Sequence, residues 1–195
     1  MVDRERIELR ELRIPMGFAH QFFVRYDSSG NVCGEIHGLP TDSEGNPLAY
    51  VISLSAVPLG AVVYPRKSKS IGSVLSGYWN IHQDSMVVFE GDENAVEIRW
   101  KAAVKAADFI NRGNFIYKAF PDMKNNSEGN CNSVTRTVGD CMGVVPQSIS
   151  GRALPGQEKN LLPKHAYPEL YISGILDESS YRLQLAPKAN SCVVS

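Results

Sequence analysis

The strongest constraint on the fold is a β-hairpin pattern in residues 18–40. Residues Phe18 to Tyr26 (FAHQFFVRY) are rich in aromatic and β-branched side chains, which favour strands. Residues Asp27 to Asn31 (DSSGN) have the composition of a turn. Residues Val32 to His37 then predict a returning strand, which closes at Gly38-Leu39-Pro40. We therefore expect the fold to contain an antiparallel sheet.

The rest of the first half also has strand-like composition. A polar turn is predicted at Thr41 to Pro47, and it is followed by three strand candidates: Leu48 to Val57, Gly60 to Tyr64 and Met86 to Glu90. Residues Arg66 to Gly77 are rich in serine, lysine and glycine and predict a loop.

The second half opens with the clearest helix pattern of the chain, Glu93 to Asn111. Val96, Trp100, Ala103 and Ala107 recur at helical spacing, and Gly113 is a plausible stop. A long helix beside a sheet predicts the α+β class.

The remaining second half has weaker periodicity. Phe115 to Phe120 predicts a short extended piece, and the many prolines and glycines after Val144 predict an irregular wrap over Ser148 to Pro168. Tyr181 to Leu185 is a last strand candidate. With 195 residues, 43% hydrophobic content and no visible boundary or repeat, we expect one α+β domain over residues 1–195.

Charge and cysteine usage narrow the function classes. A formal net charge of −1 gives no electrostatic basis for binding nucleic acid or anionic membranes. The four cysteines form no CxxC pair and no metal-ligand spacing, so we expect free thiols in a reducing compartment: Cys33, Cys131, Cys141 and Cys192.

The first 14 residues are charged and lack the apolar core of a secretory signal. No apolar run approaches the ~20 residues that span a bilayer. We therefore expect synthesis in the cytoplasm, no membrane insertion and, for any action outside the cell, a dedicated export route.

One cysteine lies at the predicted start of a second helix, Gly129 to Gly139 (GNCNSVTRTVG). Asn130 favours an N-terminus and Gly139 is a plausible stop, although the helix can also extend to Met142. The positive end of the helix dipole lowers a thiol pKa, and unpaired N–H groups can stabilise an oxyanion. Cys131 is therefore a candidate nucleophile. The alternative is a small, partly buried structural residue.

A histidine on the first predicted strand is the candidate base. His20 shares its strand face with Phe22 and Val24, where an imidazole needs a hydrogen-bond partner. It is either a core histidine bonded to a backbone carbonyl or the base that accepts the Cys131 proton. Glu35 and His37 share a face of the returning strand, and either of them can orient His20 or be an exposed strand-end residue.

The other two histidines are weaker candidates. His82 belongs to a stretch with Trp79 that either lines a cleft or forms an exposed loop, and His165 lies in a loop flanked by prolines. The histidine and cysteine spacings match no common zinc pattern, so we expect neither a metal nor another cofactor.

The order of these residues resembles the circularly permuted papain-like cysteine hydrolases. This group includes permuted relatives of the NlpC-type cell-wall peptidases and the lecithin retinol acyltransferase group. The resemblance rests on Ala19-His20-Gln21-Phe22, on Glu35-Ile36-His37-Gly38 and on Asn130-Cys131-Asn132-Ser133.

More closely, the layout is similar to a bacterial set of toxin-like and effector proteins. Its elements occur here as His20 to Asp27, Ile36 to Pro40, Trp100 within its helix, Asn130 to Ser133 and Pro155 to Leu162. The resemblance implies a permuted papain-like fold, in which an antiparallel sheet packs against the long helix and the helix that bears the nucleophile.

The resemblance also implies residue roles. Cys131 is the nucleophile, His20 the base, and Glu35 or His37 the orienting residue, while backbone N–H groups at Cys131 and Asn132 form the oxyanion site. The candidate oxyanion or substrate-binding residues are Asn130, Asn132, Ser133 and Trp79.

Three functions are compatible with this pattern. The first is a peptidoglycan amidase or endopeptidase that acts as a type VI secretion effector, with an immunity protein and a secretion carrier as partners. The second is a cysteine protease, deamidase or acyltransferase that acts on a protein or lipid. The third is a non-enzymatic binding module in which Cys131 is structural.

Overall fold

The computed structural model describes residues 4–48, 57–65 and 82–173. Its strands are β1 (Glu5–Ile14), β2 (Phe18–Tyr26), β3 (Val32–Pro40), β4 (Val57–Pro65), β5 (Asp84–Gly91), β6 (Ile116–Tyr117) and β7 (Glu128–Gly129). Its α-helices are α1 (Glu93–Arg112) and α2 (Cys131–Met142), and short 3₁₀ turns occupy Pro15–Gly17 and Pro168–Leu170.

The strands form one curled sheet in the order β5-β1-β2-β3-β4-β6-β7. Neighbouring strands are antiparallel, as predicted, except for β6 and β7, which pair in parallel, so the sheet as a whole is mixed. The short parallel pair arises because the chain between β6 and β7 turns back before β7 leads into α2. The α+β class itself is confirmed.

One face of the sheet packs on both helices. Apolar side chains from β1, β2 and β3 contact the buried faces of α1 and α2 in one cluster, with Phe23, Ile36, Trp100 and Val138 among its members. Val96, Trp100, Ala103 and Ala107 all lie inside, as the helical spacing of α1 predicts. Asp92 caps the start of this helix, because its carboxylate accepts the Ala95 N–H at 2.8 Å.

The other face lies inside the curl. Leu39 on β3 packs with Leu12 on β1 and with Val62 and Tyr64 on β4, so the curl brings the non-neighbouring strands β1 and β3 together. Phe22, Val24 and Tyr26 fill the adjoining part of this concave face. The curl therefore creates an interior that holds polar as well as apolar side chains.

Strand β1 is an element that the sequence interpretation missed. Its sequence ERIELRELRI places Ile7 and Leu9 on the helix-facing side, while Arg6, Glu8 and Arg10 lie on the concave side. Glu8 and Arg10 are both buried there and are joined by a 2.8 Å ion pair. The alternation of apolar and charged residues along β1 has the period of two that is typical of a strand, but the high content of charged residues kept it from being predicted as one.

The second half matches its predicted organisation in most places. Residues 144–171 are irregular apart from the 3₁₀ turn and a bridge at Ala153. The strand candidates Leu48 to Val57 (all but its ends) and Tyr181 to Leu185, the loop Arg66 to Gly77 and Cys192 lie outside the described residues. Within the described residues, no helix has the length and apolar character needed to cross a membrane.

Candidate active site

The candidate site lies where strands β2 and β3 separate. The β2–β3 ladder ends at the pair Phe22–His37, yet β2 continues along β1 to Phe18, and β3 continues along β4 to Pro40. The start of α2 fills the gap between the separated ends. Helix α2, which bears the candidate nucleophile Cys131, is thus inserted into the sheet at the level of His20.

The start of α2 is set by Asn130. Its extended backbone, with φ −146° and ψ −170°, lets the side-chain oxygen accept the Ser133 N–H at 3.0 Å. Its amide nitrogen donates to the carbonyls of Ala119 and Pro155, at 2.9 and 2.8 Å. Asn130 therefore places Cys131 at the first position of the helix and anchors that position to two loops.

Asn132 fastens the helix start to both sides of His20. Its Oδ1 accepts the Gln21 N–H at 3.2 Å, and its Nδ2 donates to the Ala19 carbonyl at 3.3 Å. These are the backbone neighbours of His20, so one amide takes the place of a missing strand partner. The same Oδ1 lies 3.6 Å from the Cys131 sulfur.

Gly38 gives the helix room on the β3 side. A Cβ at this position would lie 2.7 Å from the Cys131 Cα and 2.7 Å from the Val134 Cβ. Only a glycine allows the backbone of β3 to approach α2 this closely. Gln21, which follows His20, and Gly38, which follows His37, thus both border helix α2.

His20, His37 and Glu35 form a hydrogen-bonded row on the concave face. His20 Nε2 lies 3.2 Å from His37 Nδ1, and His37 Nε2 lies 2.9 Å from Glu35 Oε2. The Phe22 ring stacks on His37 with 4.3 Å between centroids. The two orienting candidates therefore have different positions: His37 contacts His20, and Glu35 reaches it only through His37.

Burial dominates the ionisation of the thiol. It raises the pKa of Cys131 to about 12, although backbone N–H groups of Asn132, Cys131 and Gln21 act in the opposite direction. The expectation of a lowered pKa is therefore reversed, because Cys131 is only 5% exposed and a thiolate there loses its water. The resting sulfur carries its proton at neutral pH.

Both imidazoles are also neutral at rest. Burial, and then the proximity of His37, lower the pKa of His20 well below its ordinary value of 6.5. Burial also lowers the pKa of His37, against the opposing effect of the Glu35 hydrogen bond. The resting site therefore holds a neutral thiol and two neutral imidazoles rather than a thiolate and an imidazolium.

The other predicted site residues have structural contacts. Ser133 is buried, and its hydroxyl donates to the Gly156 carbonyl at 3.1 Å. The side chains of Asn130 and Asn132 are likewise bonded to protein groups, which leaves the oxyanion role to backbone N–H groups. His82 and His165 are exposed, and Trp79 lies outside the described residues.

Gln21 and the segment 146–157, which we call the strap, are parts of the site that sequence reasoning missed. The Gln21 side chain is fully buried and donates to the Gln147 carbonyl at 2.7 Å. The Pro155 carbonyl accepts from both Asn130 and Asn132. The strap thus closes over the helix start, and no periodic pattern marks it because its role is carried by backbone groups.

Three further observations describe the surroundings of the site. A surface cavity of about 670 Å³ lies at the turn between β3 and β4, beside Asp108 and Asn111 of α1, and its lining includes none of the candidate catalytic residues. Among the described residues, no group of three histidine, cysteine or acidic side chains is arranged to hold a metal ion. Cys131 and Cys141 are free thiols, as predicted.

Comparisons with known proteins identify no relative of this chain, since no family model, curated protein or solved structure matches it.

Proposed function

We propose that this chain is a cysteine hydrolase of the permuted papain-like type, in which Cys131 attacks an amide or ester carbonyl. The observation that carries the proposal is the placement of Cys131 at a helix start whose next residue, Asn132, bonds both backbone neighbours of His20. The buried row from His20 to Glu35 supplies an oriented base.

The neutral resting state favours general-base catalysis. A thiol whose pKa is about 12 is not ionised in advance, so His20 takes its proton as the sulfur attacks the carbonyl. The oxyanion then forms near backbone N–H groups at Cys131 and Asn132, since the first N–H groups of a helix have no partner within it.

The later steps reuse the same groups. His20 gives the proton to the leaving nitrogen or oxygen, and an acyl group stays on the Cys131 sulfur. A water molecule, deprotonated by His20, attacks this thioester and releases the acid. The thiol and the neutral imidazole are restored.

The resemblance to bacterial effectors suggests the substrate and setting. We propose that the protein cleaves an amide of peptidoglycan peptides after delivery by a type VI secretion system from the cytoplasm where it is made. An immunity protein and a secretion carrier are then its expected partners. The layout of residues 20–162 supports this assignment.

The test compares the wild-type protein with Cys131→Ala, using Cys33→Ser as the matched control. Purified sacculi are digested and the released muropeptides are separated, and the proteins are also treated with p-nitrophenyl acetate. We expect wild type and Cys33→Ser to release fragments and to form an acyl-enzyme, whereas Cys131→Ala does neither. Hydrolysis by Cys131→Ala would overturn the cysteine mechanism, and intact sacculi with an acylated Cys131 would overturn the substrate.

A further inference from the structure

We propose that Asn132 is a positioning residue for the Cys131 thiol: its Oδ1 accepts the S–H proton and so holds the resting sulfur in its protonated form. As a restraint on a nucleophile, this inference rests on the proposed function, although the hydrogen bond itself is measurable in the resting protein. It gives the Asn132 side chain a role toward the sulfur, in addition to fastening α2 to the sheet.

The orientation of the Asn132 amide is set by backbone groups outside α2. Its Nδ2 lies 3.3 Å from the Ala19 carbonyl oxygen and 3.2 Å from that of Pro155, and carbonyls only accept hydrogen bonds. Its Oδ1 lies 3.2 Å from the Gln21 nitrogen, whose N–H only donates. A flipped amide would oppose two donors at Gln21 and set its oxygen against the two carbonyl oxygens. The oxygen end of the side chain must therefore face Gln21.

This orientation decides which form of the sulfur is favoured beside it. The Cys131 sulfur lies 3.6 Å from the same Oδ1, which has only lone pairs to offer. A thiol donates its S–H to this oxygen, whereas a thiolate would direct its negative charge at the lone pairs. Asn132 therefore favours the thiol over the thiolate.

Burial makes this preference matter. Cys131 is 5% exposed and Asn132 is 1% exposed, so bulk water does not compensate an unfavourable contact between them. The Asn132 amide has two contacts at Oδ1 and two at Nδ2, which is the full hydrogen-bonding capacity of such a side chain. The amide is therefore not free to turn toward a thiolate without the loss of its other hydrogen bonds.

Asn132 also acts on a backbone donor near the sulfur. Burial raises the pKa of Cys131 to about 12, and the Gln21 N–H is one of the backbone groups that oppose this effect by stabilising the thiolate. Asn132 Oδ1 accepts from that same N–H. The side chain thus engages a donor that a thiolate would otherwise use.

The contact adds a step to activation. Rotation about the Cβ–Sγ bond of Cys131 turns the S–H away from Asn132 Oδ1 without moving the sulfur. The proton can then pass to the base of the proposed mechanism as the sulfur attacks the carbonyl. The hydrogen bond to Asn132 must therefore break before each acylation.

The first experiment records the S–H stretching band of the wild-type protein by infrared spectroscopy. Subtraction of the Cys131→Ala spectrum isolates the contribution of Cys131. A hydrogen bond lowers the S–H frequency, so we expect the Cys131 band below the frequency of a free thiol. A Cys131 band at the free-thiol frequency would overturn the inference without any substitution at Asn132.

The second experiment uses Asn132→Leu, an apolar side chain of similar size, with Thr135→Val as the matched control. Thr135 is also buried on α2, and its hydroxyl donates to the Gln21 carbonyl at 2.9 Å, so this control removes a helix–strand hydrogen bond that does not involve the thiol. We expect Asn132→Leu to raise the S–H frequency toward that of a free thiol and to speed iodoacetamide labelling of Cys131 about 2–10-fold. Thr135→Val should leave the frequency unchanged and affect labelling less.

The outcomes separate the inference from the proposed function. Equal S–H frequencies in the wild-type protein and Asn132→Leu would overturn the role of Asn132 and leave Cys131 as the proposed nucleophile. Because the wild-type spectrum needs no change at Asn132, it decides the inference even where Asn132→Leu does not fold. Acylation by p-nitrophenyl acetate that persists in Cys131→Ala would overturn the proposed function, whatever the S–H frequency.

Discussion

At the residue scale, burial decides the chemistry of Cys131. A helix start favours a thiolate, but Cys131 is buried, and the loss of water there has the larger effect on the pKa of the thiol. Cys131 is therefore a protonated thiol at rest, and in the proposed mechanism its activation depends on His20. This makes its reactivity toward simple alkylating agents a direct readout of the site.

The pH dependence of alkylation has a definite sign. With a pKa of about 12, the thiolate fraction of Cys131 near pH 7 is on the order of 10⁻⁵ and rises tenfold per pH unit. We expect iodoacetamide to label Cys131 slowly at pH 7 and to gain about tenfold per unit up to pH 10. Mass spectrometry follows the labelling, with the more exposed Cys33 as the internal reference. A rate independent of pH between 6 and 9 would instead indicate a preformed ion pair.

The residues of the site were predictable to different extents. Cys131 and His20 could be proposed from the helix-start composition and from a histidine on an apolar strand. The order of His37 and Glu35 could not, because residues two apart share a face and only the register Phe22–His37 brings His37 to His20. Gln21 contributes a backbone N–H, which no side-chain pattern reveals.

At the element scale, the site depends on how α2 enters the sheet. The separated ends of β2 and β3 leave backbone groups without a strand partner, and Asn132 supplies an amide that bonds two of them on β2. On β3 the helix meets Gly38, which has no side chain to obstruct it. The helix start is thus held by hydrogen bonds on one side and by close packing on the other.

Gly38→Ala tests this packing. The added methyl carbon would lie 2.7 Å from the Cys131 Cα, so the helix start must move. We expect a loss of about 1–3 kcal/mol in the free energy of unfolding, measured with urea, and slower acylation of Cys131.

Gly91→Ala in β5 is the control, because its methyl group would meet only the Phe89 ring edge at 3.1 Å and the Ala95 methyl at 3.4 Å. We expect it to change stability less and to leave acylation unchanged. Equal effects of the two substitutions would contradict a special role for Gly38.

Elements with one dominant pattern were predicted well, and elements with mixed patterns were not. β2 and α1 agree with their predicted limits within a residue, since aromatic alternation and helical spacing are both strong there. Of the two ends predicted for α2, the later one is confirmed: the helix passes Gly139, continues to Met142 and is capped by Gly143, whose φ of 75° suits a left-handed cap. Gly139 instead makes room for Pro146 of the strap, a tertiary contact that local sequence does not show.

At the scale of the whole molecule, the strap (residues 146–157) connects strand β1 of the sheet to the start of helix α2. Glu11 on β1 is 1% exposed, and its carboxylate accepts the N–H groups of Ile149 and Ser150 at 2.7 and 2.9 Å. Arg152 donates to the Ile14 carbonyl at 3.1 Å. The far end of the strap then bonds the start of α2 through Pro155.

Glu11→Gln tests this connection. The amide turns one acceptor into a donor that faces backbone N–H groups, which costs about 1–3 kcal/mol in a buried site. We expect the strap to open more often and trypsin to cut after Arg152 faster than in wild type, as followed by mass spectrometry. Glu90→Gln, an exposed change, should leave this cleavage unchanged. Equal protection of Arg152 in Glu11→Gln and wild type would contradict the anchoring role.

Because α2 inserts between strands that are synthesised much earlier, the site can be completed only after the ribosome has made α2. Gln21 and Asn132 are 111 residues apart, so a ribosome that adds about 5–20 residues per second makes the strand contact roughly 6–22 s before its helix partner. During that interval the nascent chain holds an imidazole row but no thiol at position 131 for it to deprotonate. The proposed hydrolytic activity can therefore arise only late in translation, and a product that stops before α2 lacks the proposed nucleophile.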